Sequence, residues 1–259
     1  MEETVFNIEE FDIKLDTQVI GRNFIYVEEI DSTNDFLMKT EENYPNGTVV
    51  LAEHQSSGKG RRNKEWKSEK NNNLTFSILL LPNPNFPNVN LINLSASLAI
   101  AQTLENLYQF DIELKWPNDV LINKKKISGV LIETISKSDK IEKIIVGMGI
   151  NVNQPTFAGK YDIRPTSIRI ESKREVSREK LLSEILNQFE ENLLLLEKSS
   201  SKILNAWRLR CKMIGEKVKI IRGKETKFGI FDDIDHNGFL ILKTREGYEK
   251  IHGGDISLR

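Results

Sequence analysis

The chain alternates two hydrophobic spacings. Short apolar runs rich in β-branched residues, Thr48–Ala52 and Leu74–Leu81, predict buried strands. Between Asn90 and Phe110 the spacing becomes helical: Leu91, Leu94, Leu98, Ala101 and Tyr108 fall near one face, and no Gly or Pro interrupts them. Four β-rich segments follow at Ile112–Trp116, Val120–Ile122, Ile127–Glu133 and Ile144–Ile150, with Asn123–Lys126 as a turn between the second and third. A long helix is predicted over Ser177–Lys198, with Ser177 as N-cap and an apolar stripe of Leu182, Ile185, Leu186, Phe189, Leu193 and Leu196. Another covers Ser201–Lys212.

After Gly215 the texture changes. Val218–Ile221, Lys227–Phe231, Phe239–Leu242 and Lys250–Ile251 read as four short strands split by Arg-Gly, Asn-Gly and Glu-Gly turns. The expected architecture is an α/β (α+β) domain over residues 1–213 and a small antiparallel barrel over 214–259. A length of 259 residues allows either one large domain or two.

Composition narrows the function classes without naming one. With 37 Lys+Arg against 38 Asp+Glu, the net charge of −1 gives no chain-wide nucleic-acid footprint. One cysteine, Cys211, excludes an internal disulfide and fits a reducing cytoplasm. His54, His236 and His252 are too scattered to join it in a zinc site. The acidic N-terminus is no signal peptide, and no apolar run approaches the roughly 18 residues of a membrane helix.

Common phosphate motifs fail. Gly159-Lys160 is followed by Tyr161, with Gln154 where a P-loop needs its first Gly; Gly147-x-Gly149 has Val152 where a dinucleotide fingerprint needs its third. Four other segments carry chemistry. In GKGRRNKEW, Gly58 to Trp66, two glycines allow close backbone approach while Lys59, Arg61, Arg62 and Lys64 supply charge; a solvated basic loop explains it as well. In KWPNDVLINKKKISGVLIE, Lys115 to Glu133, Asn118 and Asp119 sit at a strand mouth and Lys126 precedes Gly129 by three residues; such a lysine can meet a carboxylate or an α-phosphate, or simply belong to an exposed turn. GMGINVN, Gly147 to Asn153, offers the amides of Asn151 and Asn153 beside glycines. In DSTND, Ser32 or Thr33 would cap a helix through Phe36-Leu37-Met38, which is compatible with ligand contact.

Taken in order, these four segments and the tail from Gly215 to Arg259 resemble biotin protein ligases from about Tyr26 onward. The resemblance implies a mixed-sheet catalytic domain of the class II aminoacyl-tRNA synthetase/biotin ligase type, with an SH3-like C-terminal domain. It implies a two-step reaction: biotin and MgATP give biotinyl-5′-adenylate, and a lysine of a biotin carboxyl-carrier domain, as in acetyl-CoA carboxylase, then takes the biotinyl group. Ser32, Thr33, Asn34 and Gln55 match the family's positions for the ureido ring, and Gly58, Lys59, Gly60, Arg61, Trp66 and Gly129 complete its biotin site. Lys126 matches the lysine that bridges carboxylate and α-phosphate, and with Arg61 is the expected catalytic pair. Arg62, Lys64, Asn118, Asp119 and Asn151 match nucleotide-side positions, with Asp119 expected to meet magnesium. Phe157 and Tyr161 both remain open as the adenine cover.

Departures stand beside the match. The family's Gly-Arg-Gly-Arg-Arg-Gly-Arg loop here has Lys59, Asn63 and Lys64; the lysines keep charge without the bidentate fork, and Asn63 tolerates left-handed geometry. About thirty residues, acidic in pattern, precede Ser32, too few for a winged helix-turn-helix, so no operator binding is expected. The protein is expected to be cytoplasmic and off the membrane, as a monomer or a homodimer. Glycines and lysines between Gly58 and Lys67 predict a lid that orders on biotin. Two other readings stay open: a lipoate or octanoate ligase of similar fold, and a non-catalytic regulator.

Overall fold

The computed structural model describes residues 5–83, 86 and 88–258; residues 1–4 and Arg259, at the outer ends of the two expected domains, lie outside this range. Seven strands form a mixed sheet. In chain order they are β1 (Phe24–Ile30), β2 (Val49–Gln55), β3 (Leu74–Leu80), β4 (Ile112–Lys115), β5 (Asp119–Ile122), β6 (Lys125–Lys137) and β7 (Lys140–Ile150). The spatial order is β1-β2-β3-β7-β6-β5-β4. Only β1 and β2 pair in parallel within it.

Helices cover the faces unequally. One face packs on α3 (Val89–Tyr108) and α5 (Arg178–Arg210), whose long apolar stripes cross each other and bury Ile92, Leu104, Leu182 and Phe189. The short helix α1 (Ile8–Lys14) packs against α5, and Asn7 N–H donates to Glu179 Oε1 at 3.0 Å. On the other face α2 (Thr33–Lys39) packs Leu37 onto Val50, Leu79 and Ile145 and covers the sheet over that part. The uncovered part of that face is where the cavity lies. A one-turn helix, α4 (Ile168–Ser172), follows the loop after β7.

Five antiparallel strands make the C-terminal sheet: β8 (Lys217–Arg222), β9 (Glu225–Ile234), β10 (Leu240–Lys243), β11 (Tyr248–Ile251) and β12 (Asp255–Leu258), ordered β11-β10-β9-β8-β12. Val218, Ile220, Phe231 and Leu240 are buried, and one cluster of apolar side chains continues from the large sheet into this one. Trp116 Nε1 donates to the Gly238 carbonyl at 3.1 Å, and Arg208 reaches Asp233 and the Ile234 carbonyl. Cys211 lies in the same core, where burial pushes its thiol up to about 12.

Several expectations change in detail. The helices expected at Ser177–Lys198 and Ser201–Lys212 are one run broken at Ser199, whose extended φ of −164° interrupts the turns within a triple-serine stretch. Serine hydroxyls there bond one another, Ser199 Oγ to Ser201 Oγ at 3.0 Å, and compete with helical pairing. The turn expected over Asn123–Lys126 is only Asn123-Lys124, both left-handed at φ 50° and 61°; Lys125 and Lys126 already belong to β6. The C-terminal sheet has five strands rather than four, because β12 adds to the edge of β8. No helix among the described residues is long and apolar enough to cross a membrane.

Candidate active site

Strand alternation builds the floor. In β3, Phe76 and Ile78 join the core, while Thr75 and Ser77 point to the opposite face. Cross-strand partners there are small: Ser77 faces Gly147, Thr75 faces Gly149, and Gly149 faces Gly129 on β6. Over this floor opens a cavity of about 760 Å3. Its glycines serve side chains from elsewhere. A Cβ on Gly147 would lie 2.3 Å from Asn34 Oδ1, and one on Gly149 would lie 2.3 Å from the Trp66 ring.

The polar end of the cavity gathers at the start of α2. Ser32 is the N-cap, its Oγ accepting the Asp35 N–H at 3.4 Å, so its own O–H remains to donate. Thr33 presents both its N–H and its hydroxyl to Gln55 Oε1, at 2.8 and 3.0 Å. The Thr33 and Ser77 hydroxyls are 2.6 Å apart; Ser77 donates to Asn34 Oδ1 at 2.6 Å, and Asn34 Nδ2 to Glu133 Oε2 at 2.8 Å. Buried hydroxyls and amides are thereby fixed in orientation before any ligand arrives.

The basic segment is a short hairpin. Trp66 N–H donates to the Gly58 carbonyl at 2.9 Å, Lys59 bridges Glu65, and Gly60 N–H donates to the Lys64 carbonyl at 2.6 Å. Its tip is a single 3-10 turn, Arg61–Asn63. The left-handed residue in it is Arg62, at φ 57°, where the expectation was Asn63; the Asn63 side chain lies outside what the structure describes. Lys59 pairs with Asp35, Arg62 with Asp255 at 3.4 Å, and Lys64 with Asp162 at 2.8 Å and Asp255 at 3.1 Å. Arg61 bonds neutral acceptors instead, Asn118 Oδ1 at 3.1 Å and the Gly254 carbonyl at 3.3 Å. Burial lowers its pKa, the mark of a cation that an anionic ligand would relieve.

Lys126 and Asp119 meet beside it. Lys126 Nζ is 2.6 Å from Asp119 Oδ1 and 5.7 Å from the Trp66 ring centroid. Its backbone is clamped to the loop after β7, donating to the Arg164 carbonyl and accepting from Thr166 N–H, each at 2.8 Å. Lys115 completes this basic corner, its pKa lowered by burial. Both ends of the Asn118 amide are engaged, with Nδ2 donating to the Val130 carbonyl at 2.5 Å and Oδ1 accepting from Arg61. Asn151 Nδ2 donates to the Thr166 carbonyl at 2.9 Å.

The cavity wall brings together most residues singled out in the sequence. Ser32, Thr33, Asn34 and Gln55 line one end, and Lys59, Gly60, Arg61, Lys64 and Trp66 line the hairpin side. Asn118, Asp119, Lys126, Gly129 and Asn151 line the other end, with half-buried Phe157 and exposed Tyr161 at the rim. Gly58 and Arg62 stand outside the wall. Gly58 lacks a side chain because a Cβ would strike the Trp66 carbonyl oxygen at 2.4 Å, and Arg62 turns away to Asp255. Sequence reasoning missed Thr75 and Ser77, although two polar residues spaced by two within an apolar strand are a period-2 signal. It also missed Asp162, Glu133 and Asp255, which meet the site across long sequence distances.

Comparison with known proteins agrees with this geometry. The model of the Biotin/lipoate A/B protein ligase family matches residues 26–151, and that of the Biotin protein ligase C terminal domain matches residues 213–259. The Bifunctional ligase/repressor BirA of Bacillus spizizenii is 32% identical over 248 residues, covering 94% of this chain and 76% of that protein. The chain belongs to the biotin protein ligase family. As a ligase it is also 29% identical over 232 residues to the biotin--[acetyl-CoA-carboxylase] ligase of Paracoccus denitrificans, covering 87% of this chain and 96% of that one. Among solved structures, the biotin protein ligase from Aquifex aeolicus in complex with biotin and ATP superposes with a TM-score of 0.81 at 33% identity, covering 92% of this ligase and 99% of that chain. The matched C-terminal model is named for biotin protein ligases, which favours biotin over the lipoate alternative.

Proposed function

We propose that this ligase activates biotin with ATP in the cavity on the uncovered sheet face, and passes the biotinyl group to a lysine of a biotin carboxyl-carrier domain. The observation that carries this reading is the cavity's division into a neutral hydrogen-bonding end and a cationic end. A ureido ring needs donors and acceptors without charge, which Ser32, Thr33, Asn34 and Gln55 offer. A carboxylate meeting an α-phosphate needs fixed cations, which Lys126, Arg61 and Lys115 offer. In the first step a biotin carboxylate oxygen bonds to the α-phosphorus and the bond to pyrophosphate breaks. In the second, the acceptor amine bonds to the acyl carbon and AMP leaves. Lys126, held by Asp119 and the Arg164–Thr166 backbone, stands at the cationic end and neutralises charge in both steps. Trp66 lies over the glycine floor as the apolar wall for the biotin rings. Half-buried Phe157 is the aromatic assigned to adenine, since the Tyr161 hydroxyl is tied to the Ala158 carbonyl of its own loop.

Magnesium fits as an ion carried by the triphosphate. Asp119 is the carboxylate beside the phosphate end, and no cluster of three or more His, Cys, Asp or Glu gathers among the described residues. Asp119 would be the carboxylate that meets such an ion, which would neutralise phosphate charge there. Asn118, whose Oδ1 accepts from Arg61 while its Nδ2 is tied to the Val130 carbonyl, acts by orienting Arg61.

The test is pyrophosphate release with biotin and ATP, followed by mass spectrometry of a carrier-domain lysine. Lys126→Ala should abolish adenylate formation, whereas near-native release would remove Lys126 from the chemistry. Release driven by lipoate as readily as by biotin would overturn the substrate assignment.

A further inference from the structure

We propose that Asp255, in the C-terminal sheet, is a positioning residue that holds the basic hairpin shut over the acyl-adenylate; this deepens the ligase reading and rests on it. The hairpin grips the protein at several places, Arg61 on Asn118 at 3.1 Å and Lys64 on Asp162 at 2.8 Å among them. Lys59 at its neck is paired to Asp35 of α2, while Arg62 and Lys64 converge on one carboxylate, Asp255 Oδ2, at 3.4 and 3.1 Å. The neighbouring Gly254 carbonyl accepts from Arg61 NH2 at 3.3 Å. Gly254 and Asp255, at the entry to β12, thus hold Arg61, Arg62 and Lys64 of the tip.

Two further observations make this more than a surface ion pair. Arg62 has a φ of 57° and ψ of 45°, a conformation that non-glycine residues rarely adopt, and its pairing with Asp255 adds a contact from outside the hairpin to that turn. Gly254 is packed so closely on β8 that a Cβ there would lie 2.6 Å from Ile220 Cγ2, which fixes the approach of β12 to the tip. Asp255, Ile256 and Ser257 also line the cavity, so opening the hairpin away from them would open the nucleotide end to water. A two-step transfer needs such closure, because the mixed anhydride must stay bound until an acceptor lysine arrives.

The contact is partly exposed, with side-chain exposures of 38% for Asp255, 30% for Arg62 and 54% for Lys64. Its strength therefore corresponds to about a tenfold shift in lid opening and is screened by salt. The readout is the fraction of adenylate released to solution per pyrophosphate formed, measured with biotin and ATP on the full chain. Asp255→Asn should raise that fraction about tenfold and increase labelling of bystander lysines, whereas Asp255→Glu should retain the native fraction. Raising KCl should increase the fraction more steeply for the native protein than for Asp255→Asn, which keeps the Lys59–Asp35 and Lys64–Asp162 pairs. If Asp255→Asn fails to fold, a salt-independent native fraction still overturns the proposal. Equal retention by native protein and Asp255→Asn, equal leakage by Asp255→Glu and Asp255→Asn, or a salt-independent native fraction would each overturn the proposal. Absence of pyrophosphate release by the native protein would instead overturn the ligase reading itself.

Discussion

Gly149→Ala tests whether the glycine floor exists for the ligand or for the sheet. Gly149 lies in β7 between Thr75 and Gly129, in ordinary strand geometry that alanine adopts without strain. Its new methyl would sit 2.3 Å from Trp66 Cε2 and 2.5 Å from Cζ2, against an ordinary contact distance of 3.4 Å. The indole must therefore withdraw by about 1 Å, and Trp66 N–H, bonded to the Gly58 carbonyl, carries that movement into the hairpin neck. Overpacking of this kind costs about 1–3 kcal/mol. A stiffer unfolded chain offsets about 0.4–1 kcal/mol of that in folding stability, but gives no such relief to ligand binding. The expected result is a biotin KM raised about 5- to 100-fold, at 1.4 kcal/mol per tenfold, with a melting temperature lowered by up to about 10 °C. Pyrophosphate release against biotin concentration, alongside a thermal melt, reads both. Trp66→Leu in the same background should recover part of the loss, the coupling expected of residues in contact. An unchanged biotin KM in a folded Gly149→Ala protein would refute the idea that Trp66 is part of the biotin wall.

Two other expectations concern stability and pH. Arg178 and Glu53 form a buried pair, at 4% and 1% exposure and 2.5 Å, so Arg178→Met should cost about 3–5 kcal/mol by leaving Glu53 uncompensated. Glu53→Gln in the same chain should restore much of the melting temperature, and a loss under about 1 kcal/mol in Arg178→Met would show that the pair does not behave as buried. Burial acts to raise the Asp35 pKa, but hydrogen bonds from Lys59 and Lys39 outweigh it and hold the carboxyl below its usual range. That pair's contribution is therefore complete above the ordinary carboxylate value of about 3.9 and is lost only as pH falls through the lower folded value. Hydrogen exchange of the hairpin should accordingly show no loss of protection between about pH 7 and 5, and a loss in that window would contradict the assignment.

Legibility in the sequence followed how local each signal was. The helical stripe of Leu91, Leu94 and Leu98 and the cap at Ser177 are short-range patterns, and both helices stand where those residues place them. β1 escaped because Glu28 and Glu29 interrupt its apolar residues at a sheet edge, where pairing with β2 decides the conformation. The ends of β6 and β7 escaped because Lys137 to Lys140 read as a polar loop, although Ser138 and Asp139 at φ 48° and 64° make a tight hairpin between long strands. In the site, Lys126, Asp119 and Arg61 announce themselves within motifs. Asp255 does not, because a lone carboxylate in a four-residue strand gains meaning only when the chain folds it against Arg62 and Lys64, about 190 residues away.

That distance also bears on synthesis. The floor strands β2, β3, β6 and β7 are all made by Ile150, whereas β12 begins at Asp255, about a hundred residues later. At ribosomal speeds of about 5–20 residues per second, the pocket waits roughly 5–20 s for its last wall. A nascent or prematurely terminated chain can hold the sheet floor without the segment that closes it, so the competence to keep a reactive acyl group arrives only with the final strand. Translation order thus schedules the enzyme's containment after its binding surface, and ties the safety of the intermediate to synthesis of β12.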